Sequence, residues 1–324
     1  MSTANQVPET WGLTGDDARQ TLERTGRWKL IRDAFMRLRY ADGFSHARSM
    51  AWATTLVFFE GVIAFVGLAS ALGTGGLSDL IVKTLRQIFP GPAGMILTDA
   101  VQQAHKAGSS HRYLALSVGL VAALITGTTL MGQIERALNR MYGIEQDRPT
   151  AQKYGRAFVL SISVGTLFVA AFAALALGRS ISSSLSGHTA STVWNVVRWP
   201  LALGLLIAAI ALLFKWSPRR RQPGWSWLAF GAIVSVILLT IVTVGLDAMF
   251  QISSTFGKTY GPLAGIVALL LWALLASISL LFGGAIGAQL EAVRAGRPAP
   301  QSAQKVTGSE PEVAHRMADG DQNR

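Results

Sequence analysis

Six long stretches of this chain are apolar and almost free of charge, and they constrain its fold more than any other feature. Between Arg48 and Asp79 the only charged residue is Glu60. Residues 113–134, 157–178, 199–214, 222–246 and 259–290 contain no Asp, Glu, Lys or Arg. A helix needs about 20 mostly apolar residues to cross the hydrocarbon core of a bilayer. Five runs reach that length, and 199–214 reaches it if Arg198 snorkels at the interface. The pattern predicts an all-α, polytopic membrane protein with six transmembrane helices, near 49–72, 113–135, 157–178, 196–215, 225–248 and 261–290.

The basic residues orient it. Only 15% of the chain is charged, yet the formal charge is +11. Segments 1–48, 136–156, 215–225 and 291–324 hold 22 of the 29 Lys and Arg, and the alternate loops hold 7. By the positive-inside rule both termini are cytoplasmic. Arg219-Arg220-Arg221 reads as the densest anchor. The excess is a membrane-face property, so the expected partners are membrane lipids and not nucleic acid. Residues 1–48 lack the apolar stretch of a signal peptide.

The remaining segments divide as follows. Residues 1–26 and 295–324 are polar and expected to be disordered. Within 27–48, Trp28, Ile31, Phe35 and Leu38 recur at helical spacing among basic residues, which predicts an amphipathic helix on the inner leaflet. Residues 49–294 are the membrane domain. Inside it, 77–107 reads as a short outer amphipathic hairpin of two helices broken at Pro90-Gly91-Pro92.

Two stretches carry more than hydropathy. They are QIERALNRMYGIEQDRP at 133–149 and YGPLAGIVALLLWALLASISLLFGGAIGAQLE at 260–291. With the first helix and its basic lead-in, they resemble the YihY/BrkB family of bacterial inner-membrane proteins over most of 28–294. The resemblance implies a six-helix protein of the bacterial inner membrane. It implies a role in the cell envelope, including transport of lipids or small molecules. Members have also been named a virulence factor and a ribonuclease of the BN type. The matching positions are Glu135, Arg136, Asn139 and Arg148 in the first stretch, and Tyr260, Gly261 and Gly265 in the second. The chain departs from the family where Glu60 replaces a customary proline, and where 283–285 read Gly-Gly-Ala instead of Gly-Ala-Glu. No role of that last-helix glutamate passes to Ala285.

Glu60 falls near the bilayer midplane, where an acidic side chain costs about 2.5–3.5 kcal/mol on insertion scales. It must face the bundle interior, and protonation is expected there. One reading is a proton-linked or substrate-contacting carboxyl; the other is a neutral glutamate bonded to a neighbouring helix. Thr126, Thr128, Ser163, Thr166, Ser235, Thr240, Ser277 and Ser279 share its depth. They either line a polar seam with it or satisfy their own helices. Asp247 is expected to form a surface ion pair with Arg179, Arg198 or Lys258.

The sequence does not suggest an enzyme. There is no cysteine, and the five histidines are scattered without an HExxH spacing. No Walker A or GxSxG motif occurs. Neither a metal nor a cofactor is expected. The expected function is transport or permeability in the envelope for a lipidic or small amphiphilic substrate. The alternative is a non-catalytic scaffold that recruits partners at the cytoplasmic face, and a membrane-bound ribonuclease ranks last.

Overall fold

The computed structural model describes residues 3–71, 75–184, 188–252 and 263–302. The helices are α1 (Gly15–Thr25), α2 (Arg27–Tyr40), α3 (Gly43–Ala71), α4 (Gly75–Ile88), α5 (Gly91–Met141), α6 (Thr150–Ser184), α7 (His188–Trp216), α8 (Trp225–Ile252) and α9 (Ala264–Arg294). Six of them, α3 and α5 to α9, are long and apolar enough to cross a membrane. The protein is an all-α polytopic membrane protein, as the charge-free runs require.

The six spans follow one another around the bundle. α3 packs on α5, α5 on α6, α6 on α7, α7 on α8 and α8 on α9, and α9 closes back onto α3 and α5. α9 is the most enclosed, with Leu269, Leu281, Ala285 and Leu290 fully buried. Small residues set the closest crossings, because lipid gives helices no hydrophobic reason to associate and packing must do it. A Cβ on Gly67 would lie 2.5 Å from the backbone of Leu116, and one on Gly119 would lie 2.6 Å from that of Ala64. On the other side of α9, Gly283 meets Gly231 and Ser235 of α8 with no room for a side chain.

Three boundaries differ from the sequence reading. The second half of the outer hairpin is not separate: from Gly91 the chain runs as one helix to Met141, 51 residues long. The break does fall at Pro90, which becomes the N-cap of α5, and Pro92 follows in the first turn, where a missing N–H is harmless because it has no partner there. The interfacial helix stops at Tyr40, and residues 43–48 already belong to α3; Asp42, with φ of 57°, makes the corner.

The third difference is the N-terminus. Residues 3–26, expected to be disordered, are folded onto the bundle. Thr3 N–H donates to Tyr40 O at 2.9 Å and Val7 N–H to Tyr142 O at 3.1 Å. Ala4 pairs antiparallel with Gln301, so both described chain ends lie at one end of the bundle. Residues 295–302 are held there too, and 303–324 lie outside the described residues. The polar composition was misleading because these backbone groups bond to loops far away in sequence. We call this the basic end and the opposite one the far end. Near mid-bundle, Phe58, Phe89 and Trp272 pack edge-on, with centroids 4.7–5.6 Å apart. Trp272 Nε1 donates to Thr243 Oγ1 at 3.0 Å, which ties α9 to α8.

Candidate functional site: an intramembrane carboxyl and a bonded basic end

Glu60 lies on the face of α3 that meets α5, in line with Ala64 and Gly67. Thr126 of α5 donates from Oγ1 to Glu60 Oε1 at 2.8 Å. The two residues sit nine and ten positions from the far ends of their spans, ~14–15 Å deep at 1.5 Å per residue. Glu60 Oε2 is buried and has no hydrogen-bond partner. A buried polar oxygen without a partner is costly in an apolar surround, so this one is unlike the paired groups around it. The site is one hydrogen-bonded carboxyl with one spare oxygen, set between two helices.

The other hydroxyls do not extend this pair into a seam. Thr128, Ser163, Thr166, Thr240, Ser277 and Ser279 each donate to the carbonyl four residues back on their own helix. Thr166 also faces outward, exposed on the bundle surface. Ser235 bonds Gly231 O at 3.1 Å and reaches Leu280 O at 3.4 Å, so it ties α8 to α9. Back-bonding of this kind is the cheapest way to satisfy a hydroxyl in an apolar surround. Asp247 does not pair with Arg198. It accepts from Gly91 N–H at 3.3 Å and from Gln251 Nε2 at 2.7 Å, fastening the start of α5 to α8. The side chains of Arg179 and Lys258 lie outside the described residues.

The inner motif proves to be a set of ties. Glu135, fully buried, pairs with Arg148 at 2.7 Å. The N–H groups of Arg148 are directed at Ser217 O and Pro218 O, both at 2.8 Å. Asn139 Oδ1 accepts from Arg219 N–H at 2.7 Å. Asp147 binds Arg136 at 3.0 Å and Lys153 at 2.9 Å. Together these lock the α5–α6 loop against the α7–α8 loop. Gly265 packs under α5, where a Cβ would lie 2.6 Å from Ile96 Cβ. Tyr260 and Gly261 lie outside the described residues.

Sequence reasoning missed a second set of residues. Arg220, read as a surface anchor, is buried and paired with Glu291 of α9. Thr10 donates to the same Glu291 oxygen, and Arg220 also reaches Val7 O at 3.3 Å and Pro8 O at 3.1 Å. Its guanidinium stacks on Tyr142, 4.5 Å from the ring centroid. Arg37, fully buried, donates to Gln289 Oε1 at 2.7 Å, Asn5 O at 2.9 Å and Met141 O at 3.1 Å. Burial pulls its pKa down to about 10, against the opposing pull of Tyr142, Asp33 and Glu291, so it stays charged at neutral pH. Burial likewise raises the phenol of Tyr142, which stays neutral. The one available signal was Glu291 itself, an acid closing a 32-residue charge-free run beside a basic triplet elsewhere.

The ties set a pH dependence. Burial works to raise the Asp147 carboxyl, but Lys153, Arg136 and Asn139 outweigh it and hold the carboxyl below its ordinary 3.8. Asp17 is also lowered, chiefly by the N–H and hydroxyl of Thr14, with burial opposing and Arg294 assisting. A depressed carboxyl stabilises fully above its unfolded value and loses that contribution as pH falls through the folded one. Melting temperature in detergent should therefore drop below about pH 4. Asp147→Asn should be less stable than wild type at pH 7 and show a shallower acid limb; equal limbs would contradict the tie.

Two clefts accompany the basic end. One, of about 180 Å³, is lined by Gln6, Val7, Glu9, Ile144, Gln146, Arg219 and Arg220. The other, about 10 Å³, lies between Leu138, Tyr142, Phe214 and Gly284. Glu60 lines neither. Among the described residues, no three His, Cys, Asp or Glu side chains come close enough to hold a metal.

Comparison with known proteins agrees with this architecture. The family described as virulence factor BrkB matches residues 34–307. The chain is 24% identical over 265 residues to the ribonuclease-like protein YfkH of Bacillus subtilis, covering 80% of this chain and 94% of that one. It is 26% identical over 291 residues to the UPF0761 membrane protein RC1_0578 of Rhodospirillum centenum, covering 88% and 64%. It is 29% identical over 251 residues to the UPF0761 membrane protein Mpe_A1422 of Methylibium petroleiphilum, covering 75% and 57%. It thus spans less than two thirds of the latter two. No solved structure matches the chain. With a family match across most of its length and six membrane-spanning helices, the chain belongs to the BrkB family of membrane proteins.

Proposed function

We propose that the chain is an envelope transporter or permeability factor of the bacterial inner membrane, acting on a lipidic or small amphiphilic substrate, with its basic end in the cytoplasm. One observation carries the reading: Glu60 is a carboxyl in mid-membrane, with one oxygen bonded to Thr126 and the other buried without a partner. Intramembrane acids are costly to keep and mark substrate or proton pathways. The α3–α5 contact that holds this acid is built on close glycine crossings, so the carboxyl sits in a seam between two tightly packed helices. The excess of basic residues at one end supports the orientation.

The test is transbilayer movement of fluorescent phosphatidylglycerol and phosphatidylcholine in vesicles containing purified protein, read by dithionite quenching. Protein-containing vesicles should exchange at least one probe faster than empty vesicles. Thr126→Val should slow that exchange severalfold, because it removes the hydrogen bond that positions the carboxyl. Rates equal to empty vesicles for both probes would reject the lipid substrate.

A second reading is a membrane-anchored scaffold. It is favoured by α2, where Trp28 is 85% exposed and Ile31 and Phe35 are exposed beside it. Only Leu38 of the expected apolar face is buried; Leu30, Ala34 and Arg37 form the face packed on the bundle. Deleting residues 1–26 does not separate the two readings, since that segment is part of the fold at the basic end. Trp28→Ser with Phe35→Ser does: a scaffold loses partner recruitment, and a transporter keeps its exchange rate.

A further inference from the structure

Among the described residues in the far half of α7, two side chains carry buried N–H groups that have nothing to bond. Arg198 is 9% exposed, and neither its Nε nor its Nη1 has a hydrogen-bond partner. Trp194 Nε1 is also buried without one. The residues are four apart on one helix, so their side chains share a face with Cβ atoms about 5–6 Å apart. Asp247, the acid that depth alone would assign to Arg198, is committed to Gly91 and Gln251. The guanidinium lies near the ring of Trp199, 5.9 Å from its centroid. A ring attracts a cation but cannot satisfy its N–H groups.

Depth and backbone add to this. Arg198 precedes Trp216 by 18 positions, ~27 Å along the helix, against a hydrocarbon core of about 30 Å. With Lys215 and Trp216 at one interface, Arg198 stands level with the headgroups of the other leaflet. Pro200 removes the helical bond to the carbonyl of Val196, so this turn is the one at which α7 can bend.

We propose that Trp194 and Arg198 form a binding site for a phosphate-bearing anion at the far end of the bundle, either an anionic phospholipid headgroup or free phosphate. A guanidinium fork matches two phosphate oxygens, and the indole N–H supplies a third donor on the same side. The site is independent of Glu60, which acts between α3 and α5. Binding can therefore hold whether or not the chain transports anything.

The test uses the full chain in dodecyl maltoside. Its melting temperature is followed against added phosphatidylglycerol, phosphatidylcholine and inorganic phosphate. Phosphatidylglycerol should raise it and phosphatidylcholine should not; a rise with inorganic phosphate alone would assign the site to a free anion. Arg198→Gln should shift the midpoint of the response at least threefold upward, with Arg198→Lys and Trp194→Phe shifting it in the same direction. Without added lipid or phosphate, Arg198→Gln should melt at or above wild type, because it removes an unpaired buried charge. The proposal is overturned if no anion raises the melting temperature more than phosphatidylcholine, or if Arg198→Gln shifts the midpoint less than threefold. It is also overturned if Arg198→Gln melts lower without ligand, since Arg198 would then have a structural partner.

Discussion

Replacing Arg220 with alanine should cost about 3–5 kcal/mol of stability, the penalty for stranding one member of a buried ion pair. Arg220 and Glu291 are both almost fully buried. Without the guanidinium, Glu291 keeps only the N–H and hydroxyl of Thr10, and its second oxygen already has no partner. The same change frees the carbonyls of Val7 and Pro8 and removes the cation from the face of Tyr142. Folded proteins have about 5–15 kcal/mol in total, so the loss is a large share. The double variant Arg220→Met with Glu291→Met should recover most of it, because an apolar pair of similar volume leaves no buried charge. Unfolding in a graded detergent mixture reads both. A loss of under about 1 kcal/mol for Arg220→Ala would place the pair among exposed bridges and contradict the geometry.

Changing Glu60 should have the opposite sign. Glu60→Leu removes an acid that costs about 2.5–3.5 kcal/mol to place near the bilayer centre and forfeits one hydrogen bond of about 1 kcal/mol. Thr126 loses little, because its hydroxyl can turn to its own helix as Thr128 and Thr129 do. The variant should melt at or above wild type. A residue that destabilises its helix and is replaced with a gain is one whose presence only activity explains. If Glu60→Leu instead melts well below wild type, the Thr126 bond is a structural clamp and the carboxyl has no further task.

The spans were legible because membrane insertion imposes a local rule, 20 residues without charge, that a single stretch satisfies alone. The level of Glu60 was legible for a related reason, since depth along a span is a count of residues, but the count put eight hydroxyls at that level and did not single out Thr126. The failures share a cause too. Whether Thr166 turns inward depends on helix rotation, which uniformly apolar spans do not encode. The basic end was misread because its partners are distant in sequence, Thr10 with Glu291 and Arg37 with Gln289. A polar N-terminal segment looks disordered until the carbonyls, hydroxyls and guanidinium groups that hold it are known. Arg219-Arg220-Arg221 satisfied the positive-inside rule, and that adequate explanation hid three separate contacts: Asn139, Glu291 and the ring of Trp11.

The claim that Glu60 works in transport is tested most directly by lipid exchange in vesicles that contain Glu60→Leu or Glu60→Gln protein at wild-type amounts. Both variants should insert and melt normally. Both should exchange the active probe at least tenfold more slowly than wild type, glutamine included, since an amide keeps the hydrogen bond with Thr126 but binds no proton. Wild-type rates from the two folded variants would contradict the account.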